Sequence, residues 1–230
     1  MSGEARRRRL RGLIRLAGVR KAGDLAVVEQ AFVHESHAKE RGGTSNERLE
    51  FLGDSVLSLV TAQWLFERYH DEAEGLLTLR RAAIVNDARL ADAARRLGFP
   101  DVVVLGAGMR ASGGTDNTTI LAGAFEAFVA ALYLAYGIEK ARTFVIAEHL
   151  ERSDQPASEL IDPKTRLQHY AQEHLAATPV YHERSRGTPQ QPAFSSRVSV
   201  NGRTLGTGRG SSKKAAQQAA AEAALVSLRT

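Results

Sequence analysis

The stretch Asn46-Glu47-Arg48-Leu49-Glu50-Phe51-Leu52-Gly53-Asp54 decides how the rest of the chain reads. At 100° per residue, Glu47, Glu50 and Asp54 fall within about a 60° arc of one helix. Leu49, Leu52, Val56, Leu59 and Val60 fall on the opposite side, so the core stripe is complete without the acids. Three carboxylates on one stripe are either a solvated face or oxygen ligands for a hard cation such as Mg²⁺ or Mn²⁺. Two residues favour the cation. Gly53 is costly inside a helix unless another element packs closely against it. Phe51 points to the acidic side, which suits an interface between copies of the chain.

This helix, read as 48–69, sits in a run of others at 10–16, 25–38, 76–97, 120–136 and 140–151, with a glycine-rich interruption at 106–114. Period-two alternation is nearly absent, which predicts an all-α first domain over 1–151. Residues 152–161, polar and holding Pro156, are the expected linker.

From 162 the grammar changes. Asp162-Pro163 opens a helix to about 176, with Asp as cap and Pro in the first turn. Strands follow at 179–183, 194–200 and 203–208, the last two joined by the hairpin pair Asn201-Gly202. Ser212 caps an alanine-rich helix to 228, so 162–230 is a small α+β domain in the order α-β-β-β-α.

Charge divides the same way. Of 31 Lys/Arg and 26 Asp/Glu, residues 162–230 hold ten and four, a net of +6, and the first 161 residues stand at −1. A basic tail beside a near-neutral larger domain points to a grip on a polyanion. There is no cysteine, which excludes disulfides, thiolate zinc sites and cysteine nucleophiles and suits a reducing cytoplasm. No run of about 18 apolar residues is read, so no membrane span is expected. Arg6 to Arg9 lead into no apolar segment and read as a frayed basic terminus.

The 46–57 stretch resembles the signature of the ribonuclease III family. The similarity continues through Phe32-Val33-His34-Glu35-Ser36, Glu74-Gly75-Leu76-Leu77, Ser112-Gly113-Gly114 and Ile120-Leu121-Ala122-Gly123-Ala124-Phe125-Glu126-Ala127. The resemblance implies a homodimeric, Mg²⁺-dependent endonuclease (Mn²⁺ substituting) that cuts both strands of double-stranded RNA, leaves short 3′ overhangs and processes structured precursors such as ribosomal and messenger RNA. It implies that Glu50, Asp54 and Glu126 hold the metal, with Asp54 and Glu126 catalytic. Glu47 and Glu74 line the cleft near the scissile phosphate, and Phe51 is the knob of the dimer contact. Gly123 stands where the family carries an aspartate ligand. Asp116, seven residues upstream at about 1.5 Å per residue, is too far to replace it and reads as a turn or cap. Two outcomes follow: cleavage retained on a more weakly held metal, with water in the vacancy, or a catalytically silent duplex-binding regulator. The surviving acids favour retained cleavage.

Residues 162–228 resemble a double-stranded-RNA-binding domain, which reads duplex shape over about 16 base pairs. The resemblance implies contacts from Thr165, Gln168 and Gln172 on the first helix, from the 187–192 loop with Gln191, and from Ser212, Lys213 and Lys214 at the start of the last helix. His169 and a loop without the usual histidine depart from the family and predict altered affinity for the same ligand. His34 reads as a hydrogen-bonded packing residue.

Overall fold

A computed structural model describes residues 2–21, 23, 25–153, 162–188 and 191–228, and the chain divides into two compact units, Met1–Gln155 and Pro156–Thr230.

The first unit is helical: α1 (Gly3–Leu16), α2 (Ala26–Gln30), α3 (Glu35–Arg41), α4 (Glu47–Arg68), α5 (Glu74–Ile84), α6 (Asp87–Arg96), α7 (Ala107–Ala111), α8 (Thr118–Tyr136) and α9 (Ile138–Val145). A π-turn, Ile146–Leu150, leads into α10, Glu151–Ser153. The core is built on α8, whose Phe125 and Phe128 meet Phe32, Phe99 and Phe144; Phe32 and Phe99 are edge-on at 4.8 Å and Phe128 and Phe144 at 5.1 Å. By length and composition α8 could cross a membrane, contrary to the sequence reading, because its single acid and scattered polar residues break the run without lowering its mean hydropathy enough. Some 61% of it is buried inside the protein, as in a core helix.

Two helices expected to be continuous are broken. The 25–38 segment is α2 and α3, parted where Val33 bridges Val104 and the His34 imidazole caps α3 by accepting from the Ser36 N–H. The 76–97 segment is α5 and α6, parted at Asn86, whose side chain accepts from the Arg89 N–H and donates back to the Ala82 and Ala83 carbonyls. An asparagine that closes one helix and opens the next leaves no break in the apolar period, so periodicity alone misses it. Arg80, almost fully buried, holds α5 to the preceding turn through a bidentate pair with Glu72 at 2.6 and 2.7 Å and lies over the Tyr69 ring. The arginines at the start are ordered, not frayed: Arg6 donates to the Val102 and Glu29 carbonyls, and Arg7 and Arg9 pair with Glu29 and Asp101. Arg152 and Ser153, expected in the linker, close α10; residues 154–161 of that linker lie outside the described residues.

In the second unit, α11 (Pro163–Leu175) and α12 (Lys213–Leu228) cover one face of an antiparallel sheet ordered β1 (Val180–Thr188), β2 (Gln191–Val200), β3 (Arg203–Gly210). Asp162 caps α11, and Asn201 and Gly202 both take positive φ in the tight turn from β2 to β3. The strands β1 and β2 extend further than read: Gly187 pairs with Pro192 and Thr188 with Gln191, which leaves Pro189 and Gln190 outside the described residues. Alternate residues of β3 are Gly206, Gly208 and Gly210, and a Cβ on Gly208 would stand 2.2 Å from the Ala220 nitrogen. Alternate glycines against an alanine-rich helix let α12 lie directly on the β3 backbone.

The decisive contact of the first unit is the crossing of α4 and α8. A Cβ on Gly53 would stand 1.8 Å from the Glu126 carbonyl oxygen and 2.4 Å from its carbonyl carbon. The close packing that Gly53 foretold is therefore helix on helix. The buried side of α4 runs through Leu49, Gly53, Val56, Leu57, Val60 and Trp64, and is turned away from Leu59, which is 60% exposed rather than in the core. Because backbone cannot yield as a side chain does, Gly53→Ala should destabilise by about 3 kcal/mol, the upper end of overpacking costs. Gly123→Ala, whose Cβ meets only the end of the Glu50 side chain, should cost far less. Denaturant unfolding of the two variants checks the order, and equal costs would contradict the crossing geometry.

Candidate active site

The crossing fixes where the acids stand. Glu50 and Asp54 flank Gly53 on α4, and Glu126 is the residue on α8 whose backbone Gly53 meets. Glu50 and Glu126 are half-buried and Asp54 is exposed. Burial pushes the Glu126 carboxyl up to about 8, and the negative charges of Asp54, Glu50 and Asp87 push the same way. Burial also raises Glu50, with Glu47 and Asp87 adding to it. No cation is among the groups acting on either. The structure thus brings Glu50, Asp54 and Glu126 into one electrostatic cluster and adds Asp87, which the sequence reading buried inside a continuous helix. Its signal was the Asn86-Asp87 pair at a helix start.

Gly123 does not leave an empty position. A Cβ there would stand 2.6 Å from Glu50 Oε2 and 2.8 Å from its Cδ, so the Glu50 carboxylate lies against the space that a longer side chain would use. Asp116 is neither ligand nor cap: it accepts from Arg95 Nε at 2.6 Å, and Asn117 caps α8 through the Ile120 N–H. Glu47 accepts from the Ser45 hydroxyl at 2.7 Å and reaches the cluster only through its charge on Glu50. Glu74 is exposed at the start of α5, accepts from Thr78, and is not one of the charges acting on Glu50 or Glu126. Among the described residues no three acidic or imidazole groups stand at metal-ligand spacing. The donor chemistry nevertheless fits a hard divalent cation: oxygen atoms only, with Glu50 and Glu126 half-buried and negative charges, not cations, acting on both.

Phe51 is 79% exposed, and Leu59 and Phe66, exposed at 60% and 72%, share its face of α4. Fifteen residues of helix, about 22 Å, carry this apolar stripe.

In the second unit Gln168, Gln172, Lys213 and Lys214 are exposed, while the Thr165 hydroxyl is engaged by Asp162 at 2.7 Å. Ser212 accepts from the Ala215 N–H and opens α12, as its position predicts. The side chain of Gln191 lies outside the described residues. One network had no motif to announce it. Lys164 on α11 donates to Gln217 on α12, which donates to Glu183 on β1, itself 4.0 Å from Lys213. It ties the start of α12 to the first helix and the sheet.

A family model described as Ribonuclease-III-like matches residues 24–153, and one described as Double-stranded RNA binding motif matches 163–228. The chain belongs to the ribonuclease III family. It is 42% identical over 206 residues to Ribonuclease 3 of Thermobifida fusca, covering 88% of this chain and 86% of that protein. To Ribonuclease 3 of Anoxybacillus flavithermus it is 43% identical over 205 residues, covering 87% and 86%. A solved nuclease domain of ribonuclease III from Campylobacter jejuni superposes with a TM-score of 0.58 at 32% identity, covering 65% of this chain and 97% of that one. A second structure of that domain gives 0.57 at 32% identity, covers 63% and 96%, and shows flexibility in a region involved in dimer formation. The first unit is thus a helical nuclease domain of a family that works with divalent metal, and the second a double-stranded-RNA-binding motif.

The raised Glu126 carboxyl has a consequence for the metal-free protein. Between its ordinary value near 4.5 and about 8, the folded state holds a proton that the unfolded state has released. Stability should therefore fall as pH rises through that window. Glu126→Gln, which carries no charge at any pH, should flatten the decline and melt higher than wild type at pH 9. Melting curves in chelator check this, and parallel pH profiles would contradict it.

Proposed function

We propose that this chain is an endoribonuclease that hydrolyses phosphodiester bonds in double-stranded RNA, with Mg²⁺, or Mn²⁺ in its place, held by Glu50, Asp54 and Glu126. The observation that carries the reading is the carboxylate cluster at the α4–α8 crossing, in which half-buried Glu50 and Glu126 are acted on by further acids and, among the described residues, by no cation. A divalent cation supplies there a Lewis acid and an activated water. The chain's own part is placement. Gly53 sets the separation of the two acid-bearing helices, Gly123 leaves room for the Glu50 carboxylate, and the apolar core beneath α8 keeps Glu126 from full hydration. Glu47 and Asp87 make the rim of the cluster acidic, which tunes where the RNA backbone is tolerated, and Glu74 lines the cleft near the scissile phosphate. The nuclease domain is taken as 1–151 and the RNA-binding domain as 162–230. Thr165, Gln168, Gln172, Gln191, Ser212, Lys213 and Lys214 grip the duplex. Structured precursors such as ribosomal and messenger RNA, in the cytoplasm, are the proposed substrates.

A labelled long duplex should be cut at roughly 10 mM Mg²⁺, a large excess even for a weak site. Glu126→Gln should slow cutting by on the order of a hundredfold or more, the scale of losing one electrostatic group from an active site. Duplex binding without any cutting would overturn the proposal in favour of a silent RNA-binding regulator. Because Glu50 already lies against the Gly123 position, Gly123→Asp should not lower the Mg²⁺ needed for half-maximal cleavage. A lowered requirement would mean that a ligand position stood open.

We further propose that two copies pair through the Phe51, Leu59 and Phe66 stripe, which is the large apolar surface of α4 that this unit leaves uncovered. Removing Phe51 as a central anchor should weaken the dimer by about 2 kcal/mol, roughly 30-fold in Kd. Sedimentation of Phe51→Ala checks this; unchanged self-association would place the contact elsewhere.

A further inference from the structure

The sheet of the RNA-binding motif has two faces, and only one is used by α11 and α12. On β2, Ser196, Val198 and Val200 are buried under the helices, so the alternate residues Ser195 and Arg197 face away from them. Strand register builds that outer face. Ser195 pairs with Arg184 on β1 and Arg209 on β3, and Arg197 pairs with His182 and Thr207. With strands about 4.8 Å apart, Arg184 and Arg209 stand about 10 Å apart across Ser195, and Arg197 lies about 7 Å further along the middle strand.

The three arginines are exposed, and none forms an ion pair among the described residues. The described acids of this unit are committed elsewhere. Asp162 caps α11, Glu173 lies on α11, Glu183 bonds Gln217 on the helix side, and Glu222 pairs with Arg166. In the first unit, by contrast, Arg7, Arg9, Arg80, Arg95 and Arg142 each meet a carboxylate. A trio of like charges with no acid on its face fits a polyanion.

We propose that this outer face is a second phosphate-binding surface, which holds the backbone of a second RNA duplex while α11 and the start of α12 hold the first. This rests on the reading of the motif as a duplex-RNA binder. This face suits a duplex better than a single strand. Tyr181 and Phe194 alternate to the helix side, which leaves the single imidazole of His182 on the described outer face and no row of rings on which successive unstacked bases would stack. What it offers is chiefly charge, and a duplex presents the denser, more rigid row of phosphates. A motif with two opposed phosphate faces could bring two helical segments of one folded precursor together.

The test uses the full chain in chelator and a labelled duplex of about 16 base pairs, one motif's span. The number of duplexes bound per chain is counted by sedimentation. Wild type at 50 mM salt should bind one more duplex per chain than R184Q/R197Q/R209Q, and K213Q/K214Q should lose a different duplex, leaving the outer one in place. Three phosphate contacts give a salt slope near 2.7, so the outer site should weaken about 40-fold between 50 and 200 mM salt. Equal stoichiometry for wild type and the triple arginine variant overturns the inference while leaving the helix-side grip intact. Equal binding of a single strand or of polyglutamate at the outer face overturns its assignment to a duplex. If wild type binds no duplex at all, the parent reading fails with it. The substituted side chains are exposed, so an unchanged melting temperature confirms that the variants are folded.

Discussion

The first unit depends on one forbidden atom, the Cβ that Gly53 lacks. With it, the backbones of α4 and α8 could not approach to the distance at which the Glu126 carbonyl touches the Gly53 position. Everything chemical follows from that approach, because Glu50 and Asp54 flank Gly53 on one helix and Glu126 is the facing residue on the other. A steric constraint on backbone thereby becomes an electrostatic one. Acids that would be independent on separate surfaces are brought together, and the charges of Asp54, Glu50 and Asp87 add to burial in raising the affinity of Glu126 for a proton. The second unit uses the same device in its sheet, where alternate glycines of β3 admit the alanine face of α12.

The two units then solve opposite charge problems. Burial is costly for an ion without a partner, and the usual relief is a paired side chain. Arg80 with Glu72 shows that this chain makes such pairs when structure is the purpose. At the crossing it does not: Glu126 sits with Asp54, Glu50 and Asp87 and no lysine or arginine acts on it. Repulsion that could have been cancelled by one substitution is a cost in stability, and under the function proposed it marks where a dication would bind by replacing protons. In the second unit the unpaired charges are positive and exposed, where solvent tolerates them at little cost and phosphate can reach them.

Much of this was legible in residue order. The acidic stripe, the meaning of Gly53, the capping aspartate of α11, the Asn201-Gly202 turn and the α-β-β-β-α order are local properties, and local chemistry reports them. What was missed required knowing neighbours in space. Periodicity placed Leu59 in the core, but the core side of α4 is set by where α8 crosses it, and that rotates Leu59 outward beside Phe51 and Phe66. Asn86 was hidden because both helices around it share an apolar period. Asp87 therefore went unseen as part of the cluster. The family pattern marked Gly123 as a lost ligand position, but residue order could not show that the Glu50 carboxylate lies against it.

The central claim is that the acids gathered at the α4–α8 crossing form a divalent-metal site. Anomalous scattering from crystals soaked in Mn²⁺ tests it without recourse to activity. A peak among Glu50, Asp54 and Glu126, abolished in Glu126→Gln crystals, is the predicted result. Mn²⁺ bound only away from the crossing, or none at any concentration that preserves the crystals, would contradict it.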